Sequence, residues 1–195
     1  MPAVQKYINN LSQFTVCEKA FTPDEIDYII SLESKYEFNH GQVGAGDGRI
    51  ENSTRDSEVG WIHEDAESKW IFNKFSKMVS EVNYRHFLVD IDKYDSFQYT
   101  IYKPSHHYTW HYDLFDGYTE RQRKISAVIM LSSPSEYDGG ELDIITNGNP
   151  ETPVSLKLQK GDIVFFASWM SHRVRPVFSG IRKTLVCWIE GKRTW

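Results

Sequence analysis

The stretch DIVFFASWMSHRVRPVFSGIRKTLVCWIE, residues 162–190, decides how this chain is read. It contains two short apolar runs, DIVFFA and TLVCWIE, rich in β-branched and aromatic residues that favour strands. Between them, Pro176 through Gly180 can reverse the chain, so the strand starting near Ile181 is expected to return beside the segment carrying His172. Side chains alternate along such a strand. Arg182, Thr184, Val186 and Trp188 then face one way, and Lys183, Leu185, Cys187 and Ile189 the other.

The same texture extends back to about residue 96. SFQYTIY alternates, KISAVIML is almost continuously apolar, ELDIIT follows Asp138-Gly139-Gly140, and VSLKL follows a proline. Short strands punctuated by Gly and Pro predict an all-β sandwich or barrel. The first third reads as helical support. In AFTPDEIDYIISLESKY, Thr22 is the expected N-cap, with Pro23 at the first helical position and acids in the first turn. A second helix is predicted over AESKWIFNKFSKMVSEVNYRHF, where Trp70, Ile71, Phe75, Met78, Val79 and Val82 recur every three or four residues. Between the helices, FNHGQVGAGDGRIENSTRDSEVGWI is polar and glycine-rich. It is expected to be a surface loop, with residues 39–60 as a lid.

At 195 residues the chain suits one domain over 1–195, with helical support in 1–90 and a strand core from about 91 to 195. Its 40% hydrophobic and 25% charged residues are ordinary for a globular protein, and 14% aromatics suit pleated surfaces. A net charge of −5 gives no general attraction to nucleic acid or membrane. Cys17 and Cys187 have neither zinc-site nor disulfide-framework spacing. The N-terminus lacks the pattern of a signal peptide, and no window resembles a membrane span. These features predict a soluble protein of a bacterial or viral-host cytosol.

The chemistry centres on TWHYDLFDG, residues 109–117. In an extended backbone His111 and Asp113 share a face, and a carboxylate among aromatic residues asks for a cation. His172 can supply a third ligand. Two imidazoles and one carboxylate with the remaining positions open form the facial triad of non-heme Fe(II) oxygenases. Arg182 follows as a planar guanidinium suited to a carboxylate cosubstrate. Tyr108, Trp110, Tyr112, Phe115, Trp169 and Trp188 are read as keeping the site dry, with ordinary core packing as the alternative for most of them. Arg121, Arg123, Lys124, Arg173 and Arg175 form either a basic rim for an acidic substrate or a solvated face.

These residues resemble a known family. The segments FQYTIYKPSHHYTWHYD, RKISAVIMLSSPSEYDGGELDI and KGDIVFFASWMSHRVRPVFSGIRKTLVCWIEG are similar to those of 2-oxoglutarate and Fe(II)-dependent oxygenases. Within that family the likeness is to the prolyl 4-hydroxylase-like branch and its PKHD-type hydroxylases. RDSEVGWI and the first helix fit the pattern more loosely. The resemblance implies a double-stranded β-helix, a jelly-roll core, with His111, Asp113 and His172 as iron ligands. It implies Arg182 on the distal carboxylate of 2-oxoglutarate, supported by Tyr102, and Arg123, Trp188 and Tyr108 on the substrate side. It further implies O2 as co-reactant, ascorbate dependence, and hydroxylation of a substrate C–H with release of succinate and CO2. Related halogenases lack the carboxylate, so Asp113 points to hydroxylation. Ser105 departs from the family, which often has glycine there.

The implied substrate is a prolyl residue in a peptide or protein. A free amino acid or another small molecule is the alternative. A jelly-roll metal or ligand-binding module and a cupin-type metalloenzyme without 2-oxoglutarate use the same histidines, but neither needs Arg182 in register with Tyr102.

Overall fold

Thr22 starts the first helix, α1 (Pro23–Ser31), as the sequence predicts. Its hydroxyl accepts from the Glu25 amide at 3.3 Å, and the Glu25 carboxylate accepts from the Thr22 amide at 2.7 Å. This reciprocal cap satisfies two donors that the helix cannot pair itself, and Pro23 sits where no hydrogen bond is lost. The second helix, α2 (Lys69–Val82), is shorter than predicted. Asn83–Phe87 winds into a π-helical turn, which ends at Leu88 in the left-handed conformation. The computed structural model describes residues 13–44, 48–94, 96–114 and 120–193, so Phe115 lies outside the described residues.

The strands run in chain order as β1 (Phe14–Cys17), β2 (Asn39–His40), β3 (Arg55–Asp56), β4 (Glu58–Ile62) and β5 (Lys93–Tyr94). They continue as β6 (Phe97–Tyr102), β7 (His107–His111), β8 (Arg121–Met130), β9 (Tyr137–Gly139) and β10 (Leu142–Ile144). The last five are β11 (Val154–Leu156), β12 (Ile163–Ala167), β13 (His172–Val174), β14 (Val177–Gly180) and β15 (Arg182–Lys192). The major sheet has the order β1-β12-β8-β15-β6-β4-β2, with β5 also on β15. The minor sheet has the order β11-β10-β13-β7-β3, and β9 pairs with β14. This is the mainly β, jelly-roll architecture expected, with antiparallel pairing in both sheets.

The alternation read along β15 explains how the major sheet is packed. Leu185, Cys187 and Ile189 are buried in the apolar core, whereas Arg182, Thr184, Val186 and Trp188 line a cavity. From α2, the Phe75 ring lies 5.0 Å from Phe97 and 6.1 Å from Phe165, and is fully buried. Burying each such ring contributes roughly 1.5–3 kcal/mol, so α2 braces the sheet through apolar area. Lys183 reaches Glu33 at 2.6 Å, and the Glu33 carboxylate also accepts from the Tyr99 hydroxyl at 2.7 Å.

Two local expectations are corrected. First, the polar stretch 38–62 contributes strands to both sheets, with β4 paired to β6 and β3 paired to β7. Its few apolar residues, among them Val59 and Ile62, suffice once β6 supplies the partner edge. Second, β15 does not return beside β13. Residues 177–180 form their own strand on β9, and β15 crosses to the major sheet between β6 and β8, while β13 stays between β10 and β7.

Arg173 and Arg175 do not form a basic rim. Both Nε atoms donate to the buried Asp143 carboxylate, at 2.8 and 2.7 Å, and Ser155 donates to it as well. Asp143→Ala leaves two guanidiniums without their shared acceptor. It is expected to destabilise the fold by about 2–3 kcal/mol, measurable by urea unfolding, with the partial exposure of both arginines limiting the loss. Among the described residues, no helix is long and apolar enough to cross a membrane.

Candidate active site

Pairing between β7 and β13 builds the centre of the site. His111 and His172 are direct antiparallel partners, and their rings lie 4.1 Å apart. The register then shifts, with Val174 opposite Tyr108, so one extra residue of β7 bulges between the two pairs. That bulge turns Tyr108 and His111 toward the same cavity although they are three residues apart. Their rings stack at 3.5 Å with an interplanar angle of 12°. Asp113 follows the end of β7, and its amide donates to the Ser168 carbonyl at 3.0 Å.

His111, Asp113 and His172 converge as the sequence predicts, with one ligand atom from each lying within 4.8 Å of the others. Nε2 of His111 is 3.7 Å from one Asp113 oxygen, and Nε2 of His172 is 3.4 Å from the other. On the far side of each ring, Nδ1 donates to a backbone carbonyl two residues back, Thr109 at 2.8 Å and Met170 at 3.0 Å. A carbonyl can only accept, so Nδ1 carries a hydrogen and Nε2 of each ring is the atom left facing Asp113 to bind a metal. This second contact fixes ring orientation as metal-binding histidines require. The donor set therefore fits a divalent iron.

Burial, followed by the neighbouring His172, lowers the His111 pKa from 6.5 to about 3. Burial pushes the Asp113 carboxyl up, but His172, His111 and Ser126 outweigh it and the net shift is downward. The sign for His111 follows from linkage. Below its ordinary value the unfolded chain takes up a proton that the folded state refuses, so stability declines as pH falls. Metal-free protein is expected to lose thermal stability steadily between about pH 6.5 and 4, and His111→Gln to flatten that slope. An unchanged slope in the variant would assign the effect to other groups.

The triad opens into a cavity of about 720 Å³. Arg182 and Tyr102 are paired across β15 and β6, and the guanidinium carbon lies 5.4 Å from the tyrosine ring. Arg182 is only 2% exposed, and its Nε has no hydrogen-bond partner. On the same strand face Trp188 Nε1 is directed at the Asp113 carboxylate, and Thr184 Oγ1 is, like Arg182 Nε, buried and without a hydrogen-bond partner. Groups of this kind are rarely left unsatisfied, so the pocket is shaped for a polar ligand. Burial pushes the Tyr102 and Tyr108 hydroxyls up, keeping both as neutral donors. Arg123 lies 3.9 Å over the Trp188 indole, and both line the cavity with Tyr108.

Some expected aromatics stand elsewhere. Trp110 packs against Arg173 at 4.5 Å, and Trp169 is 44% exposed, so neither lines the cavity. Tyr112 lines it but remains 65% exposed. Ser105 adopts φ +73°, the left-handed geometry that explains why glycine is common there in the resembling family. Two lining residues, Arg55 and Trp61, were missed because their segment reads as a polar surface loop. The only sequence signal was the loose likeness of RDSEVGWI.

A model of the 2OG-Fe(II) oxygenase superfamily matches residues 97–190. A PKHD-type hydroxylase of Crocosphaera subtropica is 38% identical over 97 residues, covering 49% of this chain and 42% of the relative. A Synechococcus PKHD-type hydroxylase is 27% identical over 174 residues, covering 85% of this chain and 73% of the relative. A prolyl-4-hydroxylase from Pseudomonas putida superposes with a TM-score of 0.75 at 17% identity, over 97% of this chain and 98% of that one. The viral collagen prolyl hydroxylase of Paramecium Bursaria Chlorella virus-1, solved as a 2OG complex, gives 0.68 at 25% identity, over 92% and 97%. The matched stretch, residues 97–190, holds His111, Asp113, His172 and Arg182 and spans just under half of the chain, so it is over this stretch that the chain is similar to the 2OG-Fe(II) oxygenase superfamily.

Proposed function

We propose that the protein is a 2-oxoglutarate- and Fe(II)-dependent dioxygenase that hydroxylates a C–H bond, with a prolyl residue of a peptide or protein as substrate. One observation carries this reading. Two oriented imidazoles and a carboxylate share a cavity with a buried arginine that forms no ion pair among the described residues. Bound iron, 2-oxoglutarate and O2 supply the oxidation, releasing succinate and CO2 as hydroxyl is added to substrate.

The chain's own residues bind, orient and shield. His111, Asp113 and His172 would hold the metal through their three converging ligand atoms. Arg182 grips the distal carboxylate with its planar fork, and the Tyr102 hydroxyl donates beside it. Tyr108, Trp188 and Arg123 line the route for substrate. Of the expected lid 39–60, Asn39, His40, Gln42, Gly44 and Ile50 line the cavity and suit a cover over substrate, whereas residues 55–60 are paired into the two sheets as fixed wall.

The first test is anaerobic addition of Fe(II) and 2-oxoglutarate to metal-free protein. A visible metal-to-ligand charge-transfer band is the expected result, and its absence from folded protein overturns the reading. Turnover is then compared on proline-containing peptides, free proline and free lysine, with and without ascorbate. Hydroxylation of free amino acids alone would move the substrate to the small-molecule class.

A further inference from the structure

Arg55 enters the cavity from the minor sheet, opposite the sheet that carries Arg182. It is 6% exposed, yet all of its protein partners are neutral. Nε donates to Ser57 Oγ at 2.9 Å, one Nη donates to the Gln42 carbonyl at 3.2 Å, and the guanidinium carbon lies 4.8 Å from the Tyr108 ring. Among the described residues it forms no ion pair. Arginine stays charged at every accessible pH, and a buried charge is costly unless it is paired. The tyrosine face offsets part of that cost through its quadrupole.

Charge counting suggests what completes the site. Resting on the oxygenase reading above, a divalent iron and the 2-oxoglutarate dianion cancel. Asp113 then balances one of the two buried arginines, and Arg182 is already matched to the cosubstrate. One positive charge is left over, before counting Arg123 on its indole. Tyr108 lies against both Arg55 and His111, so the surplus sits beside the triad.

We infer that Arg55 is a second anion anchor, and that the substrate carries a carboxylate which Arg55 holds while the neighbouring C–H faces the metal. A positive surplus beside the triad suits an anionic group, and the guanidinium fork matches carboxylate geometry. The carboxylate belongs either to a free amino acid or to an acidic side chain beside the target residue of a peptide.

The test uses the anaerobic Fe(II)–2-oxoglutarate holoenzyme. Its charge-transfer band must form first. No band in the wild type overturns the oxygenase reading itself, whereas a band without acid preference overturns only the Arg55 assignment. Free amino acids are titrated against their carboxamides, L-proline against L-prolinamide among them. Acetylated and amidated Ala-Pro-Glu-Ala is titrated against Ala-Pro-Gln-Ala. Binding is read from perturbation of the band and from thermal shift.

At least one acid is expected to bind about tenfold or more tightly than its amide, the worth of one charged hydrogen bond. Preference in the free series identifies a small-molecule substrate, and preference in the peptide series an acidic peptide. Arg55→Gln is expected to shrink the gap to within about twofold, and Arg55→Lys to keep part of it. The lysine variant and the wild-type acid–amide comparison retain the test if the glutamine variant fails to fold. No acid outbinding its amide in the wild type, or a preference undiminished in folded Arg55→Gln, overturns the inference.

Discussion

Asp113→Asn is expected to cut turnover by more than about 100-fold, since losing even a hydrogen-bond partner of a metal-binding side chain costs 10- to 100-fold. The substitution keeps volume and shape in a position only 8% exposed, so the chain still folds. What it removes is the negative charge between two imidazoles whose Nε2 atoms lie 3.4 and 3.7 Å from the carboxylate. A neutral amide oxygen is a poor third ligand for divalent iron. Iron-dependent stabilisation provides an independent readout. In the wild type, metal at a hundred times its Kd raises stability by about 2.7 kcal/mol, and in Asp113→Asn that increment is expected to vanish. Turnover and metal stabilisation both at wild-type levels would remove Asp113 from the ligand set.

Arg182→Ala is expected to weaken 2-oxoglutarate about 100-fold. Truncating one partner of a buried charge pair costs roughly 2–5 kcal/mol, and the lower part of that range already gives this factor. Arg182 is almost wholly buried, and its Nε has no other acceptor, so no neighbouring group substitutes for the lost contact. Lysine is expected to recover only part of the affinity, because a point charge cannot reproduce the paired hydrogen bonds of a planar fork. Titrating 2-oxoglutarate into the anaerobic Fe(II) protein measures both variants. An unchanged dissociation constant in Arg182→Ala would detach the cosubstrate from β15.

The faces of β15 were legible because strand alternation is a local property. Reading Arg182, Thr184, Val186 and Trp188 on one face needed no knowledge of the partner strands, and all four line the cavity. Thr22 and Pro23 were legible for the same reason, since a capping box closes within a few residues. The partner of β15 was not. A turn at residues 176–180 suggests a hairpin, but pairing with β6 and β8 depends on strands far away in the chain. Tyr108 beside His111 was known only by resemblance, because simple alternation points residues three apart to opposite faces and only the bulge against β13 aligns them.

The sequence by itself determined the residue types of the site, the two-residue step from His111 to Asp113, the strand and helix periodicities, and the helix cap. Tertiary structure decided which sheet each strand joined, drew the polar stretch 55–62 into the walls, and brought Arg55 to the cavity opposite Arg182. The physical reason is range. Propensity, capping and side-chain alternation act over a few residues, whereas strand partners, register and the burial of charge depend on contacts between distant segments, which exist only once the chain has folded.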